Sequence, residues 1–96
     1  SRLRLRHFFY FEIVEGRLFL YCEDRVFECR QKLYEFETLC RGSMLFRCSK
    51  SMILNTDKIA CVRPSVSGRF EATLVNQEKV IISHQYVGEL KRMLGI

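Results

Sequence analysis

Residues 45–63 read LFRCSKSMILNTDKIACVR, three short apolar or alternating runs separated by two polar breaks. Leu45 to Cys48 (LFRC) has the make-up of a short strand, and Ser49, Lys50 and Ser51 interrupt it before Met52, Ile53 and Leu54. Asn55-Thr56-Asp57 is a turn, because Asn and Asp tolerate left-handed backbone and bond their own main chain. Lys58 to Arg63 (KIACVR) then alternates as a half-buried strand does, with Ile59, Cys61 and Arg63 on one face. Pro64 cannot donate to a sheet ladder and closes the strand.

The same strand chemistry extends to the N-terminal side. His7 to Val14 (HFFYFEIV) is aromatic and β-branched, Glu15-Gly16 supplies a turn, and Arg17 to Cys22 (RLFLYC) resumes a strand. After Glu23-Asp24 a third strand follows, Arg25 to Arg30, so the three predict an antiparallel meander. The period changes at Lys32 to Cys40 (KLYEFETLC), where Leu33, Phe36, Leu39 and Cys40 fall on one helical face and Arg41-Gly42 ends the run. On the C-terminal side, Ser65 to Gly68 reads as a flexible polar loop. Arg69 to Val75 and Lys79 to Ser83 bracket the turn Asn76-Gln77-Glu78 as a hairpin. His84 to Leu94 is a helix with a Tyr86, Val87, Leu90, Met93, Leu94 stripe, capped by Ser83 and stopped by Gly95. The predicted fold class is mostly β, with one short internal helix and one C-terminal helix. The 96 residues are enough for one domain, which we expect to be a piece of a longer protein because it opens with Ser1.

The chain carries a net charge of +5. Ser43 to Ile96 holds eight Lys/Arg against four Asp/Glu, so most of the excess lies in the second half. A basic balance attracts polyanions, or serves solubility alone. No apolar run reaches the roughly 18 residues of a membrane span, and the N-terminus lacks the layout of a signal peptide. The five Cys form no C-x-x-C pair and fit neither a zinc site nor a disulfide framework. They read as small buried hydrophobes in a reducing compartment, the cytoplasm. Cys48 lies near Arg47 and Lys50, which would lower a thiol pKa, but an inert strand Cys is the favoured reading. No H-E-x-x-H, phosphate-binding glycine loop or G-x-S-x-G is present, so no enzyme and no cofactor is expected.

Three stretches resemble the LytTR family of DNA-binding domains. FYFEIVEGRLFLYC (Phe9 to Cys22) is similar to the family's I-x-Y-x-E strand and following turn. KLYEFETLC with LFRCSKSMILNTDKI resembles its helix and its F-x-R-x-H/S-x-S-x-x-V/L-N-x-x-x-I signature. KVIISHQYVGELKRML (Lys79 to Leu94) resembles the closing V-x-V-S-R-x-Y-x-x-x-L-K-x-x-L. Order and spacing agree, and the phrase KSMILNTDKI looks most like the stand-alone regulators of the family. The resemblance implies an elongated β-β-β sandwich of antiparallel sheets. It implies transcription regulation, with loops entering successive major grooves of promoter direct repeats, and hence two copies on the DNA. Only Ser1 to Arg6 precede the first matched strand, so the family's own first strand looks truncated.

Carried over position by position, the resemblance implies DNA contacts from three loops. The first supplies Arg17, suited to a guanine edge or a phosphate. The second supplies Ser49, Lys50 and Ser51, with Arg47 before them either reaching DNA or pairing with a carboxylate. The third is Ser83, His84 and Gln85 at the start of the last helix, where the family has Arg in place of His84. Gln85 has the groups to read adenine. Lys91 and Arg92 are peripheral and read best as a solvated face. Asn55 is structural, His7 is a surface strand residue, and Tyr86, Leu90 and Leu94 are core. The rival function is a protein-interaction module using exposed strand edges and the aromatic run near Phe8. An anionic-membrane surface domain is disfavoured, since no basic amphipathic helix of any length is present.

Overall fold

The computed structural model describes residues 7–96; the expectations for Ser1 to Arg6 lie outside them. Among the described residues eight strands form: β1 (Phe8–Val14), β2 (Arg17–Cys22), β3 (Val26–Cys29), β4 (Leu45–Ser49), β5 (Met52–Asn55), β6 (Ile59–Pro64), β7 (Phe70–Leu74) and β8 (Lys79–Ile82). One five-stranded sheet has the order β3-β2-β1-β5-β4, and a three-stranded sheet has the order β6-β7-β8. Every pairing is antiparallel. The predicted meander is β1-β2-β3, and the β4–β5 hairpin docks on its open side through β5 against β1.

Strand alternation gives the five-stranded sheet two apolar faces. Phe9, Tyr10, Phe46, Cys48 and Leu54 face Ala72, Leu74, Val80 and Ile82 of the smaller sheet and Val87 and Leu90 of α1 (Val87–Leu94). Phe8, Phe11, Leu18, Leu45 and Ile53 face the other way, under Leu33, Phe36 and Leu39. A register shift between Phe8 and Tyr10 leaves the consecutive Phe9 and Tyr10 on one face and Phe8 and Phe11 on the other, and because both faces are covered all four rings are buried. Each such ring contributes about 1.5–3 kcal/mol of burial. The aromatic run is therefore core and offers no exposed surface to a partner.

Several expectations are corrected. Leu33–Cys40 is a 3-10 helix throughout rather than an α-helix. Its apolar residues 33, 36 and 39 recur every three positions, the period that stacks side chains on one face of a three-per-turn helix. The last helix opens as a 3-10 turn, His84–Tyr86, before α1. Ser83 makes no side-chain cap bond; its carbonyl accepts from the Tyr86 N–H instead, at 2.9 Å. Ser65 to Gly68 is a tight turn, not a loose loop. A bulge between Ile59 and Cys61 sends Cys61 to solvent while Ile59 packs inward. Among the five free thiols only Cys48 is buried. That burial pushes its pKa up to about 12, which agrees with the favoured reading of Cys48 as an inert strand residue.

Other expectations hold. Gly95 ends α1 at φ 72°, with the Ile96 N–H returning to the Lys91 carbonyl at 2.9 Å. Asn55 is fully buried, accepts from the Asp57 N–H at 2.9 Å and donates to the Phe8 carbonyl at 2.8 Å. It pins the end of β5 to the start of β1. Leu90 is buried, with Tyr86 and Leu94 packed partly against the same core, and His7 is exposed just before β1. No helix among the described residues is long and apolar enough to cross a membrane.

Candidate nucleic-acid interface

Strand direction brings the β1–β2 and β4–β5 turns to one end of the larger sheet. Glu12 pairs with Met52, and the Ile13 N–H donates to the Ser51 carbonyl at 2.8 Å, so β1 runs out beside the start of β5. Arg17 opens β2 directly opposite Val14. It stands two inter-strand spacings from β5, roughly 10 Å. Glu15 and Gly16 both take positive φ, 52° and 77°, giving the two-residue hairpin whose twist matches its strands. The Arg17 guanidinium pairs with Glu28 at 2.9 Å, with both side chains well exposed.

The β4–β5 turn is held from within. Arg47 Nε donates to the Ser49 carbonyl at 2.6 Å and its Nη2 to the Lys50 carbonyl at 2.5 Å. Its remaining Nη1 pairs with Glu37 on the 3-10 helix. Of the two expectations for Arg47, the carboxylate partner is present, and the guanidinium spends its donors on shaping the loop. The Ser51 N–H bonds the Ser49 hydroxyl at 3.2 Å. Lys50 at the tip is exposed, and no carboxylate reaches it among the described residues.

The third loop meets the second. The Ser83 N–H donates to the Cys48 carbonyl at 2.9 Å, joining the end of β8 to the outer edge of β4. As a result Ser49, Lys50, Ser51, Ser83, His84 and Gln85 line one open cleft of about 490 Å³ together with Ser67 and Arg69. Among the described residues the cleft has two cations, four hydroxyls, an imidazole and an amide, and no carboxylate. Such a lining suits an anion with many oxygen acceptors.

Sequence reasoning missed Ser67 and Arg69. Strand register brings Arg69 there: β7 pairs with β8 so that Phe70 faces Ile82, which sets Arg69 across from Ser83. Lys91 lies over the Phe70 ring at 5.4 Å and Arg92 pairs with Glu89, so both serve the helix face. No cluster of three or more potential metal ligands occurs among the described residues.

The fold defines a small β-rich domain with a basic cleft at one end of its larger sheet. The chain matches the LytTr DNA-binding domain family over residues 2–95 and belongs to that family. DNA binding is thus the general activity of this domain. It is 27% identical over 84 residues to the sensory transduction protein LytT of Enterococcus faecalis, a match covering 88% of this chain and 35% of that protein. The chain thus spans about a third of that relative's length. A solved LytTr DNA-binding domain of a methyl-accepting/DNA response regulator from Bacillus cereus shares the fold. The TM-score is 0.89 at 24% identity, covering 98% of this chain and 86% of the other.

Proposed function

We propose that this domain binds promoter DNA sequence-specifically through the end that carries the β1–β2 turn, the β4–β5 turn and the β8–α1 junction. Lys50 and Arg17 reach base edges or phosphates, and the hydroxyls of Ser49, Ser51 and Ser83 bond phosphate oxygens. His84 and Gln85 read or grip an adjacent segment. Arg47 holds the loop that presents Lys50. Two copies occupy paired direct repeats, with the loops of each in successive major grooves. The domain works in the cytoplasm as part of a transcription regulator.

The observation that carries this reading is a cleft lined by Lys50, Arg69, His84, Gln85 and serine hydroxyls without one acidic side chain. An anionic backbone finds donors there and no repulsion. Selection of duplexes from a random pool with the 96-residue chain, followed by fluorescence anisotropy across salt concentrations, tests it. Neutralising about five phosphates predicts a log–log salt slope of roughly −4 to −5. Absent or salt-insensitive binding would favour the protein-interaction reading instead.

A further inference from the structure

The turn between β6 and β7 is tight and left-handed. Ser67 has φ 58° and ψ 35°, Gly68 has φ 73°, and the Arg69 N–H returns to the Val66 carbonyl at 3.2 Å. Those values make a type I′ turn, whose second central position favours glycine. At Gly68 a second constraint applies. A Cβ built there would lie 2.6 Å from His84 Cδ2 and 3.1 Å from Nε2. The imidazole therefore rests on bare backbone, in space that any other side chain would fill. His84 is exposed, and no side-chain hydrogen bond fixes its ring among the described residues. The Gly68 surface is what limits where it can lie. Arg69, next in the turn, faces the same cleft without a carboxylate partner among those residues.

We propose that the β6–β7 turn is a fourth element of the DNA interface: Gly68 is a positioning residue for His84, and Arg69 is a further phosphate-binding cation. The inference rests on the DNA-binding reading of the cleft. Gly68 acts through sterics, because displacing the ring moves its nitrogens away from the groups they meet. Arg69 acts through charge, so its contribution is independent of base sequence.

The test compares Gly68→Ala, Gly68→Asn, His84→Ala, Arg69→Gln and the control Gly42→Ala. The probes are a duplex selected by the unmodified chain and a random-sequence duplex of equal length. Gly42 has φ +66° with nothing within 4 Å of an added Cβ, so Gly42→Ala carries the backbone penalty without the contact. It should leave DNA binding unchanged. Both Gly68 variants should lose affinity for the selected duplex as His84→Ala does, and combining either with His84→Ala should cost nothing more. Asn tolerates positive φ, so Gly68→Asn keeps a folded protein by thermal melting even if Gly68→Ala does not. Arg69→Gln should weaken both probes alike and make the salt slope shallower by about 0.9. Unaltered binding by Gly68→Asn, or full additivity with His84→Ala, overturns the positioning role. An unchanged slope for Arg69→Gln overturns the cation role. If Lys50→Ala also binds as the unmodified chain does, the DNA-binding reading of the cleft fails; if only the turn variants are silent, this inference fails alone.

Discussion

The Ser83 N–H reaches the Cys48 carbonyl at 2.9 Å, and this bond joins the two sheets at the point where they present their loops. Cys48 is fully buried, so its carbonyl is a fixed acceptor on the edge of β4. Ser49 to Ser51 follow it, and His84 and Gln85 follow Ser83. One main-chain bond therefore sets the spacing between Lys50 and His84, with no side chain at risk of substitution. A rigid scaffold with loops held at fixed separation is what groove recognition needs.

Lys50→Ala should weaken binding to a selected duplex and make the salt slope shallower by about 0.9. Arg17→Ala should also weaken it. Arg17 is already paired with Glu28, but exposed pairs are worth only about 0–1 kcal/mol, so exchange for a phosphate is inexpensive. Anisotropy titrations in two salt concentrations check both. Wild-type affinity in both variants would remove the site assignment.

Arg47→Lys should loosen the β4–β5 turn. A guanidinium serves the Ser49 and Lys50 carbonyls and Glu37 at once, and an ammonium cannot span that geometry. We expect a stability loss of about 1–2 kcal/mol by urea denaturation and weaker DNA binding, with the salt slope unchanged. A shallower slope would mean that Arg47 itself neutralises a phosphate.

Asn55→Ala should cost about 2–4 kcal/mol, because it strands the buried Phe8 carbonyl and the Asp57 N–H and leaves a cavity. Equilibrium unfolding measures this. A loss below the cost of one ordinary hydrogen bond would show that β1 and β5 do not depend on this side chain.

Glu12 on β1 has its pKa raised, first by burial and then by the nearby Glu78 carboxylate. Glu78 also accepts from the Tyr10 hydroxyl at 2.8 Å. A raised folded pKa means that the native state holds this proton more tightly than the unfolded chain does. Glu12 then favours folding fully below its ordinary carboxylate pKa, and that contribution is lost as pH rises through the folded value. Glu12→Gln should therefore stabilise the domain at pH 7 relative to the unmodified chain, with the difference shrinking toward pH 4. Denaturation at the two pH values decides it, and a constant difference would contradict the burial argument.

Alkylation should distinguish the thiols. Cys61 is exposed and should react first with iodoacetamide at pH 8, while Cys48, fully buried with its pKa pushed up to about 12, should react last. Peptide mass spectrometry gives the order. Early labelling of Cys48 would indicate that the core beneath the β4–β5 turn opens readily.

Strand positions were legible because each obeys local rules: β-branched and aromatic runs bounded by Gly, Asn and Asp. The helical period of Leu33 to Cys40 was legible as a face, yet not as a 3-10 helix, because residues 33, 36 and 39 satisfy both periods. The bulge at Cys61 was hidden, since a register shift is a property of two paired strands. Arg47 was ambiguous for a related reason. Its partner Glu37 lies ten positions earlier on a different element, and only packing brings them together.

By itself the sequence determined most of the strand positions, the terminating role of Gly95, the structural part played by Asn55 and the basic balance of the second half. Each of these follows from a few neighbouring residues. The tertiary structure alone decided that Lys50, His84 and Arg69 share one cleft and that a glycine backbone supports the His84 ring. Those relationships arise where antiparallel register folds distant turns onto one sheet end, and no local pattern encodes that register.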